Sequence, residues 1–139
     1  MRIYLLFAGK PRDAHANAMA AEYVKRSTRY APCEMREIQP GRYDPWARHP
    51  AAAKVLLDPS GKQFDSAHFA KMLARHEEQS RELLFFIGGA DGHPPGWRER
   101  ADLLLSLSPM TYAHELARVM LAEQIYRGWT ILRGHPYSK

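Results

Sequence analysis

The chain has 139 residues, 45% apolar and 25% charged, which fits one soluble domain, residues 1–139, with a core of its own. A single cysteine, Cys33, excludes an internal disulfide, disfavours a zinc cluster and suits a reducing cytoplasm, and no apolar run approaches the length of a membrane span. With 20 Lys and Arg against 15 Asp and Glu the net charge is +5, which suggests a polyanionic partner, nucleic acid first, without establishing one.

The opening "MRIYLLFAG" has the short apolar run of a secretion signal, but it leads into "KPRD" and reads as a first core strand over residues 2–8. Asp13 can cap a helix reaching about Tyr30. That helix has Ala16, Met19, Ala20, Tyr23 and Val24 on one face, Lys25, Arg26 and Arg29 near its end, and Pro32 to stop it. Residues 34–39 form a weakly patterned strand, and 41–50, "GRYDPWARHP", are irregular with about one turn of helix at Trp46. A short strand over 54–57 is expected to close at the turn Asp58-Pro59-Ser60-Gly61. Asp65 or Ser66 then caps a helix with Phe69, Met72, Leu73 and His76 on its face. Residues 83–87, "LLFFI", read as a buried strand running into Gly88 and Gly89. A short helix over 94–101, a last strand over 103–107 and a long helix from 113 to about 132 complete the chain. Strands separated by helices predict an α/β fold, a mostly parallel sheet with helices on both faces. The last helix is apolar over more than one stripe (Leu116, Val119, Met120, Leu121, Ile125, Tyr126, Trp129, Leu132). That asks either for a second subunit or for extensive cover from its own chain.

Two loops draw attention. In an open parallel sheet ligands bind beyond the carboxyl ends of the strands, where Gly88 and Gly89 stand. Without Cβ atoms they suit either a tight turn or the close approach of a flat ligand, and the residues alone leave both open. "GGADGH" is not a dinucleotide fingerprint, and no G-x-x-x-x-G-K-[ST] occurs, which disfavours another kind of nucleotide-dependent enzyme. "SLSPMTYA", residues 106–113, joins a strand end to a helix start and offers unpaired backbone donors and acceptors.

"IGGADG", then "LSLSPMTYAHELARVMLAEQIYRGWTIL", then "GHPYSK" resemble the RlmH family, SPOUT-class methyltransferases acting on a pseudouridine of large-subunit ribosomal RNA. The likeness follows the element order over residues 2–139. It is most specific in H-x-L-x-R-x-x-L-x-E-Q-x-Y-R, matched by His114, Leu116, Arg118, Leu121, Glu123, Gln124, Tyr126 and Arg127. The resemblance implies a C-terminal trefoil knot, a homodimer, S-adenosylmethionine bound in a bent shape, and methylation of pseudouridine N3 in the assembled ribosome. It also implies a cofactor site built from Leu57, Gly89, Ser108, Pro109, Met110, Thr111, Tyr112 and Ala113, with no metal. The chain departs from the family in a crossover over 40–53 with little helix, and in Ser138 where the family tail has histidine. The second departure motivates an alternative, a catalytically impaired ribosome- or RNA-binding protein of the same fold.

For the reaction itself the candidates are His135, Tyr137 and Arg118. His135 has a suitable unperturbed pKa but also reads as a loop histidine. Tyr137 can stack on a base, donate to a carbonyl or simply pack. Arg118 can support an anion or pair with Glu115 one turn earlier. Glu123 and Arg127 read first as a helix-stabilising pair, and His114 as structural. Lys25, Arg26, Arg29, Arg36, Arg42, Arg133 and Lys139 are possible contacts to RNA phosphates, or solvated surface charges.

Overall fold

The computed structural model describes residues 1–138; Lys139 lies outside them. Five strands, β1 (Ile3–Ala8), β2 (Cys33–Ile38), β3 (Ala53–Gln63), β4 (Leu83–Ile87) and β5 (Leu103–Ser106), form one sheet in the order β2-β1-β4-β3-β5. Every pairing is parallel. The central β4 is buried along its whole length, as a strand covered on both faces must be. The edge strand β2 exposes Arg36 and Glu37, which is why its pattern is weak in sequence.

One face of the sheet carries three long helices: α1 (Ala14–Ser27), α3 (Ser66–Glu78) and α5 (His114–Arg133). Asp13 caps α1 by accepting from the amides of His15 and Ala16, and Asp65 caps α3 by accepting from His68. Beneath them Leu5, Phe85, Leu73, Leu121, Ile125 and Trp129 close the larger core. Each such side chain contributes about 1.5–3 kcal/mol on burial.

The other face is thinner. Its helices, α2 (Pro45–Arg48) and α4 (Trp97–Arg100), are one turn each. Aromatic rings do the covering: Trp97 meets Phe86 edge-on at 5.1 Å and Trp46 at 5.6 Å, with the Arg100 guanidinium 4.2 Å from the Trp46 ring centre. Lys54, buried in β3, donates from Nζ to the carbonyls of His49 and Pro50 and so ties the short crossover to the sheet.

The expected end of β3 at the Asp58-Pro59-Ser60-Gly61 turn is corrected. The chain does bulge there, but it returns to the same neighbour: Leu57 and Lys62 both register with Leu105, and Gln63 with Ser106. Gly61 makes this possible, because a Cβ on it would stand 2.4 Å from the carbonyl oxygen of Leu104. In α5 the second half is covered by its own chain, with Ile125, Tyr126 and Trp129 buried, whereas Leu116 near its start is 53% exposed, and Met19 of α1 is 55% exposed.

Candidate active site

The carboxyl ends of β3, β4 and β5 and the loops that leave them enclose a cleft of about 560 Å³. Three walls can be followed residue by residue. The first is the β3 bulge, with Leu57, Asp58, Pro59 and Ser60. Asp58 Oδ1 accepts from the Ser60 amide at 2.8 Å and its hydroxyl at 2.6 Å, while Arg98 of α4 pairs with Asp58 Oδ2 at 2.7 Å. Burial pushes the Asp58 carboxyl up, but the Ser60 hydrogen bonds and Arg98 outweigh it and hold the group below its ordinary value. Ser106 Oγ donates to the Pro59 carbonyl at 3.0 Å and fastens the bulge to β5.

The second wall is the glycine loop after β4. Gly92 donates its amide to the Gly89 carbonyl at 3.0 Å, folding the loop back on itself. A Cβ on Gly88 would come within 3.0 Å of the Gly92 backbone, and one on Gly89 within 3.3 Å of the Ala8 carbonyl oxygen. The glycines therefore meet the first of the demands that the sequence leaves open, the tight fold of the loop and its packing against β1, and both line the cleft. The third wall is the loop between β5 and α5, with Leu107, Ser108, Met110, Thr111, Tyr112 and Ala113; Ser108 Oγ accepts from the Met110 amide at 2.9 Å.

Of the residues expected at a cofactor site, Leu57, Gly89, Ser108, Met110, Thr111, Tyr112 and Ala113 line this one cleft, and Pro109 does not. His93 was not singled out in the sequence, yet its Nε2 lies 2.7 Å from the Leu57 carbonyl oxygen and bridges two of the walls. Only its place in the Gly-rich stretch "GGADGH" hinted at it.

The three residues considered for the reaction go elsewhere. Arg118 is completely buried; its Nη1 donates to Asn17 Oδ1 at 2.7 Å and its guanidinium carbon lies 3.6 Å from the Phe7 ring centre. Its Nε and Nη2 find no partner among the described residues. Arg118 thus sits in the seam between α1 and α5, outside the cleft. His135 and Tyr137 belong to the tail, where residues Pro136–Ser138 make a 3-10 turn that folds back onto α5. The Tyr137 hydroxyl donates to Glu123 Oε2 at 2.7 Å, with the Tyr23 hydroxyl 3.3 Å away. Burial first, then these two hydrogen bonds, raise the phenol well above its ordinary value and keep it protonated.

Among the cations considered for RNA, Arg26 pairs with Glu22, Arg36 with Glu34 and Arg133 with Glu77, whereas Lys25, Arg29 and Arg42 are exposed. No group of three or more metal-ligating side chains occurs among the described residues, and no described helix is long and apolar enough to cross a membrane.

The chain is similar to known proteins along its length. A family model described as "Predicted SPOUT methyltransferase" matches residues 1–138. A curated protein of Solibacter usitatus named ribosomal RNA large subunit methyltransferase H is 62% identical over the full length of both chains. A protein of the same name from Thermus thermophilus is 40% identical over 100% of this chain and 99% of its own. Among solved structures, the SpoU methyltransferase AviRb from Streptomyces viridochromogenes, in complex with the cofactor AdoMet, shares the fold. Its TM-score is 0.53 at 14% identity, over 91% of this chain and 57% of that one. A likeness that runs from end to end, through every strand and the loops that bound the cleft, identifies the chain as a member of the SPOUT methyltransferase family, alongside the large-subunit ribosomal RNA methyltransferases H.

Proposed function

We propose that the protein transfers a methyl group from S-adenosylmethionine to N3 of a pseudouridine in large-subunit ribosomal RNA, in the assembled ribosome and as a homodimer. The observation that carries this reading is the meeting of the glycine loop and the 107–113 loop around one cleft. The cleft suits such a cofactor. Its volume of about 560 Å³ is that of a small-molecule site. Leu57, Ile87, Leu107 and Ala117 offer apolar walls to a purine, and the bare backbone of the two loops offers the donors and acceptors that an adenine edge requires.

When bound, the cofactor supplies an electrophilic methyl group on a sulfonium. The chain's own task is to place the nucleophile. Holding the two reacting centres in line is worth on the order of 7–11 kcal/mol. The imide nitrogen attacks well only after its proton has left, so polar groups near it should favour the anion. Arg118, buried under Phe7, does not reach the cleft of its own chain and so does not support the anion there, and the Tyr137 phenol, held protonated, is not the proton acceptor in this reading.

The tail explains the need for two copies. Its anchor, Glu123, lies about 13 Å of helical rise along α5 from His114, which lines the cleft. No described residue of the tail lines the cleft of its own chain. The exposed side chains of Met19 and Leu116 would be covered by a second copy, bringing one subunit's tail toward its partner's cleft. The knotted path implied by the family resemblance would set the β5–α5 loop against the glycine loop and is part of the same proposal.

The test is mass spectrometry of large-subunit rRNA from cells with and without the protein. A methyl-pseudouridine present only in the first is expected, and an unchanged signal would count against the substrate. Calorimetry with S-adenosylmethionine tests the cleft separately: absence of binding at millimolar ligand would remove the enzyme reading.

A further inference from the structure

Glu123 and Arg127 lie one turn apart on α5 and look from sequence like an ordinary helix pair. In the folded chain they form a socket. Glu123 Oε2 is the shared acceptor: Arg127 donates to it from Nε at 3.0 Å and from Nη2 at 2.8 Å, and the Tyr137 hydroxyl donates to it at 2.7 Å. The Tyr137 ring stands edge-on to Tyr126 at 4.7 Å, and the Arg127 guanidinium lies 5.0 Å from its centre. The tail is thus held at two points: the His135 amide donates to the Thr130 carbonyl at 2.9 Å where α5 ends, and the Tyr137 phenol is gripped beyond it at its oxygen and its ring.

That grip has a consequence two residues earlier. The Tyr137 backbone amide donates to His135 Nδ1 at 3.1 Å. An amide N–H can only donate, so Nδ1 must carry its lone pair, and the neutral imidazole must carry its proton on Nε2. Nε2–H is then the half-buried ring's polar group without a partner among the described residues.

We propose that Glu123 positions the C-terminal tail through Tyr137, so that His135 presents a hydrogen-bond donor, Nε2–H, to the RNA substrate rather than a proton acceptor. The proposal rests on the tail being part of the reaction site. An imide that has lost its proton to solvent water spreads negative charge onto its flanking carbonyl oxygens, and a fixed N–H donor stabilises that charge at the moment of attack. Glu123 is a positioning residue in this scheme and touches no reacting atom.

The tautomer can be read without cofactor or RNA, by nitrogen-15 NMR of the histidine rings in the full-length protein, with His135→Gln to assign the signal. The neutral ring of the wild type should be Nε2–H. Glu123→Gln, whose amide oxygen still accepts from Tyr137, should keep that tautomer, whereas Glu123→Ala and Tyr137→Phe should each give a mixture. A wild-type ring protonated on Nδ1, or one indifferent to all three substitutions, would overturn the proposal. In methylation of ribosomes, His135→Ala should lose at least a hundredfold in kcat. His135→Gln, which keeps an N–H donor but cannot take up a proton, should recover at least tenfold of that. Equal loss in the two would mean that His135 acts as a base and would overturn the donor role. Unchanged rates in both, with the Nε2–H tautomer intact, would refute the tail's part in the reaction while leaving the positioning geometry standing.

Discussion

Gly61→Ala probes the device on which the first wall of the cleft depends. The Gly61 backbone lies outside the left-handed region, so alanine meets no backbone strain there. Its Cβ, however, would stand 2.4 Å from Leu104 O, 2.5 Å from Leu104 C and 2.9 Å from Leu105 N, all main-chain atoms of β5. Restoring an ordinary contact requires the end of β3 to retreat by about 1 Å. That loosens the pairing of Lys62 with Leu105 and of Gln63 with Ser106. Overpacking of this kind costs about 1–3 kcal/mol and each weakened ladder bond about 0.5–1.5 kcal/mol, so a loss of about 2–4 kcal/mol is expected. For a chain of this length that is a fall in Tm of about 7–14 °C. Asp58, Pro59 and Ser60 shift with the strand, so S-adenosylmethionine should bind about tenfold more weakly, or 1.4 kcal/mol. Gly41→Ala is the control, since its Cβ meets no atom within 4 Å. It should be neutral or stabilising by up to about 1 kcal/mol. Urea titration with an unchanged slope, followed by calorimetry, measures both effects. A Gly61→Ala protein as stable as Gly41→Ala and equally able to bind would refute the account of the bulge.

Three further outcomes are expected. The Glu115 carboxylate accepts from the Arg12 amide at 2.7 Å, the Asn17 amide group at 3.0 Å and the Asp13 amide at 3.1 Å, which hold it down to about 2 from an ordinary 4.5. A folded pKa below the unfolded one stabilises above the unfolded value. Acid titration should therefore show this contribution intact above about 4.5 and lost toward 2, and Glu115→Gln should flatten that stretch. Asn17→Ala removes the only hydrogen-bond partner of Arg118 among the described residues and should cost about 1–3 kcal/mol in denaturant unfolding; adding Arg118→Met should recover most of it, and no recovery would mean that the buried charge is not the source. On the proposed homodimer, Leu116→Glu, at an exposed apolar residue of α5, should give monomers by light scattering and abolish methylation while leaving the fold intact by circular dichroism; a dimer of wild-type affinity would place the interface elsewhere.

What could be read from the sequence follows the range of the interactions involved. The strand at "LLFFI" and the helix caps at Asp13 and Asp65 are local signals, and each element stands where expected. The bulge was half legible. Asp58-Pro59-Ser60-Gly61 has turn chemistry and does turn, but its return to β5 is a pairing across more than forty residues that no local pattern encodes. Arg118 misleads for a related reason. Its spacing from Glu115 suggests a surface pair, while its burial is decided by Phe7 on another element. Tyr137 and Glu123 are separated along the chain by the rest of α5, so their hydrogen bond appears only once the 3-10 turn has folded the tail back.

The seam between α1 and α5 links these pieces into one argument about the cleft. Asn17 donates to Glu115 and accepts from Arg118, while Glu115 in turn holds the amides of Arg12 and Asp13 at the start of α1. The loop after β1 and the first turn of α5 are thereby joined by α5 side chains that hold the main-chain amides of Arg12 and Asp13 and the side chain of Asn17. The 107–113 loop ends where that turn begins, so its exit is fixed from behind, as Ser106 fixes its entry through Pro59. A loop pinned at both ends keeps its backbone groups in place without using them on regular structure, which is what a site built mainly from main-chain donors and acceptors demands. Arg118 fills the same seam, against Phe7 and Asn17, one turn beyond His114, which lines the cleft.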